Sequence, residues 1–163
     1  MEIAGIIVAG GRGTRLGGVP KQWRLLDGRP MAAHALDAFA AAGIGRLVLV
    51  HPPQDAAAAA ALARPGLSLA PGGATREESV RAGLDAMAAD PPGAVLIHDA
   101  ARPCVSPELI RRVASALHRH EGAAPAVPVT DALWRGAAAV EGTVPREGLW
   151  RAQTPQGFRF GPI

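Results

Sequence analysis

The stretch Ile3-Ala4-Gly5-Ile6-Ile7-Val8-Ala9-Gly10-Gly11-Arg12-Gly13-Thr14-Arg15-Leu16 decides the fold. Its first six residues form a short apolar run without polar alternation, as expected of a strand buried on both faces of a parallel sheet. The run stops at a glycine-rich, basic stretch that extends to Pro20-Lys21-Gln22. In open α/β sheets, ligands bind beyond the carboxyl ends of the strands, where glycines let backbone N–H groups approach phosphate oxygens without a Cβ in the way. Arg12, Arg15, Lys21 and Arg24 meet no acidic residue before Asp27, so the stretch offers a positive field to a triphosphate. A solvated turn is the plain alternative. Two better-known glycine motifs do not apply. Leu16 occupies the third glycine position of a dinucleotide fingerprint, and the chain has no Gly-Lys-Ser/Thr triplet of a P-loop.

Working outward, apolar runs at Leu47–Val50, Leu67–Leu69 and Val95–His98 predict further strands of the same sheet. Helical stretches separate them. Met31–Ala42 follows Pro30 and is followed by Gly43, a residue suited to the position past a helix end. Ala56–Ala63 is the second. The third, over 76–89, starts at a capping box of Thr75 and Glu78 and places Val80, Leu84 and Met87 on one face. A fourth follows Ser106-Pro107, carries Leu109, Ile110, Val113 and Leu117 inward, and ends near Gly122. Beyond Ala126–Val129 no helix is evident, and Gly136, Gly142, Pro145 and Gly148 punctuate what reads as a protruding β-arm over 131–152. The predicted architecture is a single three-layer α/β domain over residues 1–163, built on an open, mostly parallel sheet.

Composition narrows the function. At 163 residues the chain has the length of one domain, and with 48% hydrophobic but only 4% aromatic residues its core must be Ala, Val, Leu and Ile. No apolar run is long enough to span a bilayer, and Ile3–Val8 is too short for a secretion signal, so a cytoplasmic protein without membrane association is expected. The single cysteine, Cys104, excludes an internal disulfide and a Cys-rich metal site, and is expected as a small buried filler. The net charge of +3 is modest, and the basic residues form no run interleaved with aromatics, so small phosphorylated ligands are expected rather than nucleic acid. Lys21 is the only lysine beside sixteen arginines, which suits a point-charge role.

Two further clusters sit at predicted strand ends. Gly72-Gly73-Ala74-Thr75-Arg76-Glu77-Glu78-Ser79 opens the third helix, where free N–H groups and two glycines can receive a base or ribose. Ordinary capping explains Thr75 and Glu78 but leaves the glycine pair without a role. In Ile97-His98-Asp99-Ala100-Ala101-Arg102-Pro103 an apolar strand ends in Asp99. One carboxylate suffices for Mg²⁺, which completes its shell with water and substrate phosphates. Alternatively Asp99 pairs with Arg102 in a structural turn. Trp134 and Trp150 read as packing or dimer contacts, and Trp23 as a cover for the glycine-rich stretch.

These segments, in this order, resemble the 2-C-methyl-D-erythritol 4-phosphate cytidylyltransferases of isoprenoid precursor synthesis. The resemblance rests on Ala9–Leu16 with Pro20-Lys21-Gln22, Gly72-Gly73 with Arg76 and Ser79-Val80, His98–Pro103, and Gly148-Leu149-Trp150 with Gln153-Thr154-Pro155-Gln156. It implies a Rossmann-like nucleotidyltransferase fold, transfer of a cytidylyl group from CTP to a polyol phosphate, Mg²⁺ as cofactor, and a homodimer formed through the arm. By the same resemblance Ala9, Gly10, Gly11 and Gly13 hold the nucleotide, and Arg15 and Lys21 contact phosphates at the reacting centre. Gly73 and Ser79 line the cytidine pocket, Asp99 binds Mg²⁺, and Arg146 reaches the acceptor in a partner subunit. Segments at 129–134 and 145–148 look like bifunctional forms fused to a cyclodiphosphate synthase. Two departures stand out. Asp131 is followed by Ala132 where the family often has an acceptor-binding threonine, and the family's later lysine-bearing C-terminal segment is expected to be lacking. Two other readings are a cytidylyltransferase for another polyol phosphate, such as ribitol 5-phosphate, and a nucleotide-binding or dimerising remnant without catalysis. The Ala100-Ala101 pair favours the methylerythritol enzyme.

Overall fold

The computed structural model describes residues 1–10, 20–161 and 163. Strand β1 (Ile3–Val8) precedes a 3₁₀ turn at Lys21–Trp23 and a small hairpin, β2 (Leu25–Leu26) and β3 (Arg29–Pro30). Helix α1 (Met31–Ala41), β4 (Leu47–His51), the short α2 (Ala56–Ala60), β5 (Leu67–Pro71), α3 (Arg76–Asp85), β6 (Ala94–Asp99) and α4 (Pro107–Ala116) follow. The rest is strand: β7 (Gly122–Ala123), β8 (Ala126–Pro128), β9 (Leu133–Gly136), β10 (Val140–Val144), β11 (Trp150–Ala152) and β12 (Gln156–Arg159).

Among the described residues the main sheet runs β5-β4-β1-β6-β12-β7. β1, β4, β5 and β6 are mutually parallel, with Val8 registered against Val50 on one side and Asp99 on the other; β1, β4 and β6 are buried as their apolar runs predict, whereas β5, broken by Ser68, is a largely exposed edge strand. β12 joins antiparallel to β6 and to β7, giving the mostly parallel α/β sheet. β7 and β12 were not anticipated. β12 is four residues long with two polar side chains, and its Arg159 turns away to donate to the carbonyls of Leu117 and His118 at the end of α4. That partnership leaves no local hydrophobic pattern.

Alternation along the central strands makes two cores. Ile7, Leu49 and Leu96 face α1 and α4, meeting Leu36, Phe39, Ile110 and Leu117. Ala4, Ile6, Val8, Val50 and Ile97 face the opposite way, towards Met87 with Val80 and Leu84 of α3. Burying each such aliphatic side chain contributes about 1.5–3 kcal/mol, so a core almost without aromatics is adequate. Helices on both faces of one sheet give the three-layer arrangement.

α3 presents its expected face to the core but is shorter than expected and seated closer to the sheet. It ends at Asp85, Met87 is buried just past it, and its buried positions are Ser79 and Gly83, with Val80 and Leu84 only partly covered. A Cβ on Gly83 would lie 2.7 Å from Ile6 Cγ2 and 3.0 Å from Val50 Cγ2, so the helix lies closer to the sheet than any side chain at this position permits. Cys104 is also corrected: it is exposed on the β6–α4 connection, which runs over the surface.

The stretch 131–152 read as an arm holds β9, β10 and β11. β8 before it pairs with β11 at its root, and β9 with β10 towards its tip, both antiparallel. Its apolar side chains face water, with Trp134 68% and Trp150 61% exposed. Among the described residues no helix is long and apolar enough to cross a membrane.

Gly83→Ala sets two effects against each other. Helix propensity favours alanine by about 1 kcal/mol, whereas overpacking against branched methyl groups costs about 1–3 kcal/mol. The clash wins, and urea titration is expected to show net destabilisation. A more stable alanine variant would mean that α3 is free to lift off the sheet.

Candidate functional site

The carboxyl edge of the sheet is held together by backbone bonds that outlast the strands. Ala9 N donates to Val50 O at 2.7 Å, Ala100 N to Val8 O at 2.9 Å, and Gly72 N to His51 O at 2.8 Å. The exits of β1, β4, β5 and β6 therefore lie side by side. Ala9 is buried and contributes through its backbone, while Gly10 is open to solvent. Gly11, Gly13 and Arg15 lie outside the described residues.

The first turn of α3 is fitted into this edge by its cap. Thr75 Oγ1 accepts from Glu78 N at 3.1 Å, and Glu78 Oε2 folds back to accept from Ala74 N at 2.6 Å and Thr75 N at 3.2 Å. Ser79 is 0% exposed and donates to Thr75 O at 2.9 Å. Ser79 and the returning Glu78 of this first turn account for the two glycines, one each. A Cβ on Gly72 would lie 2.8 Å from Ser79 Oγ, and one on Gly73 would lie 2.3 Å from Glu78 Cβ. Gly73 itself is exposed at the edge. Ser79 is instead packed beneath Gly10 and Gly72, where its hydroxyl fixes the shape of the edge and presents no surface.

Asp99 ends β6 with its side chain 31% exposed. Arg76 Nε donates to its Oδ1 at 3.3 Å and Arg102 Nε to its Oδ2 at 3.1 Å, while Arg102 Nη1 also donates to Gln153 Oε1 at 3.1 Å. The turn between Asp99 and Arg102 is thus real, and it does not exclude a cation. Both ion pairs are about half exposed on the arginine side, where such pairs contribute about 0–1 kcal/mol and exchange readily. Among the described residues no three His, Cys, Asp or Glu side chains form a metal cluster. The donor chemistry therefore fits an ion that needs one carboxylate and completes its shell with water and phosphate, and does not fit a protein-caged metal.

Beneath Asp99, His98 is fully buried. Its Nε2 lies 3.0 Å from Arg102 O and its Nδ1 2.8 Å from Thr154 Oγ1. Burial pushes its pKa below the usual imidazole value, against the opposing pull of the Arg102 carbonyl and of Asp99. In the neutral ring the carbonyl can only accept, so Nε2 carries the proton and Nδ1 accepts from the threonine hydroxyl.

Lys21 is exposed at the start of its 3₁₀ turn. Trp23 ends that turn by donating from Nε1 to Asp55 Oδ2 at 2.7 Å and packing on the first core, so it anchors the turn to the connection after β4. Gln22 between them is 4% exposed, with no hydrogen-bond partner for Nε2 among the described residues. Arg146 stands on the arm and donates to Thr130 O. No hydrogen bond among the described residues joins it to the Asp99 group.

A groove of about 690 Å³ lies beside the glycine edge, between α3 and β12, and shares Arg76 with the cluster around Asp99. Position at the strand ends, not groove size, identifies the candidate site. The roles of Arg102, Gln153, His98 and Thr154 escaped sequence reading. Each lies in a quoted motif, but their pairing across the fold leaves no spacing signal.

Comparison with known proteins places these features in one family. Residues 3–163 match the family described as 2-C-methyl-D-erythritol 4-phosphate cytidylyltransferase. A protein of that name from Cereibacter sphaeroides is 57% identical over 171 residues, covering 100% of this chain and 75% of the relative. The "Bifunctional enzyme IspD/IspF" of Ruegeria pomeroyi is 55% identical over 165 residues, covering 100% of this chain and 44% of the longer protein. Among solved structures, 4-diphosphocytidyl-2C-methyl-D-erythritol synthase from Anaerococcus prevotii superposes with a TM-score of 0.84 at 26% identity, over 98% of this chain and 72% of that one.

Because the Thr75 hydroxyl caps α3, Thr75→Ala is expected to lower stability in urea by about 1 kcal/mol, and Thr75→Ser to retain most of it. Equal stability of the alanine variant would show that the cap does not hold this helix in place.

Proposed function

The chain belongs to the 2-C-methyl-D-erythritol 4-phosphate cytidylyltransferase family, and from that premise we propose that it joins CTP and 2-C-methyl-D-erythritol 4-phosphate to give 4-diphosphocytidyl-2-C-methyl-D-erythritol and pyrophosphate. The observation that carries this reading is the carboxyl edge itself, where Gly10, Gly72 and the first turn of α3 close around Ser79 beside the Asp99 carboxylate.

In the proposed reaction an oxygen of the acceptor phosphate attacks the α-phosphorus of CTP. A new P–O bond forms as the bond to the β-phosphate oxygen breaks, and pyrophosphate leaves with that electron pair. Phosphate is a competent nucleophile, so no covalent enzyme intermediate is needed. The protein's contribution is alignment and neutralisation of charge on the α-phosphate and leaving group. Lys21 and Arg15 supply positive charge on the phosphates. Exposed Gly73 borders the cytidine, with Ser79 fixing the backbone beneath it. Asp99 is the carboxylate that would hold Mg²⁺, an ion that neutralises triphosphate charge when bound.

The arm supports a homodimer. Trp134, Trp150 and Val140 are large apolar side chains exposed on paired strands, a surface suited to cover by a second copy of the same arm. In that dimer Arg146 serves the acceptor in the partner's site. We place the protein in the cytoplasm, away from membranes and nucleic acid, on its single cysteine and modest charge.

Incubation with CTP, Mg²⁺ and either methylerythritol phosphate or ribitol 5-phosphate is expected to release pyrophosphate with the first acceptor, and chelation by EDTA to stop it. Release only with ribitol 5-phosphate would reassign the acceptor, and CTP binding without release would leave a non-catalytic binder. Lys21→Ala should lower turnover about a hundredfold or more, since one such contact is worth on the order of 3 kcal/mol of barrier. A near-normal rate would remove Lys21 from the mechanism. Gel filtration should give a dimer that Trp134→Ser with Trp150→Ser dissociates; a monomeric parent protein would count against the shared site.

A further inference from the structure

We infer that His98 is a positioning residue, holding the Asp99–Arg102 turn and the return segment of the arm in one fixed relation. The inference rests on the proposed function for its catalytic consequence, and on geometry alone for its structural one. His98 is 0% exposed and packs against Phe39 with ring centroids 5.5 Å apart. A leucine there would fill the core without the desolvation that a buried imidazole carries, about 1–3 kcal/mol for a polar group left unpaired. What an imidazole adds is a bond at each end.

Those bonds reach two separate parts of the chain. Nε2–H donates to Arg102 O and closes the turn that carries Asp99; Nδ1 accepts from Thr154, which follows the last strand of the arm. Outside, Arg102 Nη1 donates to Gln153 Oε1 and Arg102 Nε to Asp99 Oδ2. Consecutive residues 153 and 154 are therefore clasped by the same turn, one bond exposed and one buried. The exposed contacts are the weaker because solvent competes for them, so the buried His98–Thr154 bond is the durable half of the clasp. It sets the angle at which Asp99 leaves β6 and the direction in which the arm leaves the sheet.

Amide hydrogen exchange on the full chain without ligand tests this directly. The Arg102 and Gln153 amides are both internally bonded, to Asp99 O and Pro125 O. Thr154→Val removes the hydroxyl at nearly constant volume and should speed exchange at both amides by about tenfold or more, with β4 and α1 unchanged. Thr154→Ser should restore the parent pattern. Thr154→Ala, which adds no methyl group, is measured in the same way in case the valine does not fit. Kinetically, the valine variant should lose about tenfold in kcat with KM for CTP within about twofold, assayed well below its unfolding temperature. Exchange that rises uniformly, or at Gln153 alone, would make His98 an ordinary core histidine, as would an unchanged kcat in the loosened variant. If the parent chain releases no pyrophosphate, the proposed function fails, and the exchange pattern still decides the clasp.

Discussion

The close seating of α3 on the sheet is the constraint on which the rest of the site depends. Gly83 lets the helix rest on Ile6 and Val50, and one turn earlier Ser79 fits between Gly10 and Gly72. The glycines there are required by the helix before any ligand is considered. Glu78 then has room only where Gly73 lacks a side chain, and its folded-back carboxylate fixes the backbone at Ala74 and Thr75. An edge without side chains at Gly10, Gly72 and Gly73 is the outcome, open to the close approach that the proposed nucleotide needs. Lifting the helix would remove the edge without changing a single residue of it.

Charge is distributed around that edge unevenly. Asp99 is flanked by Arg76 and Arg102, and Lys21 stands on a separate turn pinned by Trp23 and Asp55. A carboxylate held between two half-exposed arginines is poised to exchange partners, since breaking such contacts costs little in water. The two arginines then belong to the same electrostatic group as the ion that the carboxylate would take. His98 beneath them is the opposite case: buried, neutral and bonded at both nitrogens, it supplies shape rather than charge.

Local signals read well from the sequence and non-local ones did not. Pro30 and Gly43 bracket α1, Thr75 and Glu78 form the capping box, and the four parallel strands lie where short apolar runs placed them. Each of these depends on neighbours within a few residues. The limit of α3 at Asp85, the burial of Ser79 and the exposure of Cys104 depend on what packs against them from elsewhere. β12 was hidden for the same reason: its Arg159 serves the end of α4. At the site, Asp99 was legible as a carboxylate ending a strand, whereas its two arginine partners and the link to Gln153 came only from the fold. The glycine pair at 72 and 73 was legible as unusual, but its cause, the returning Glu78 and the buried Ser79, was not.

Phosphorus-31 NMR of the protein with CTP, Mg²⁺ and 2-C-methyl-D-erythritol 4-phosphate tests the central claim most directly. The account predicts loss of the nucleoside triphosphate resonances together with growth of pyrophosphate and of a diphosphate diester. Unchanged CTP, or hydrolysis to inorganic phosphate without a diester, would contradict cytidylyl transfer at this edge.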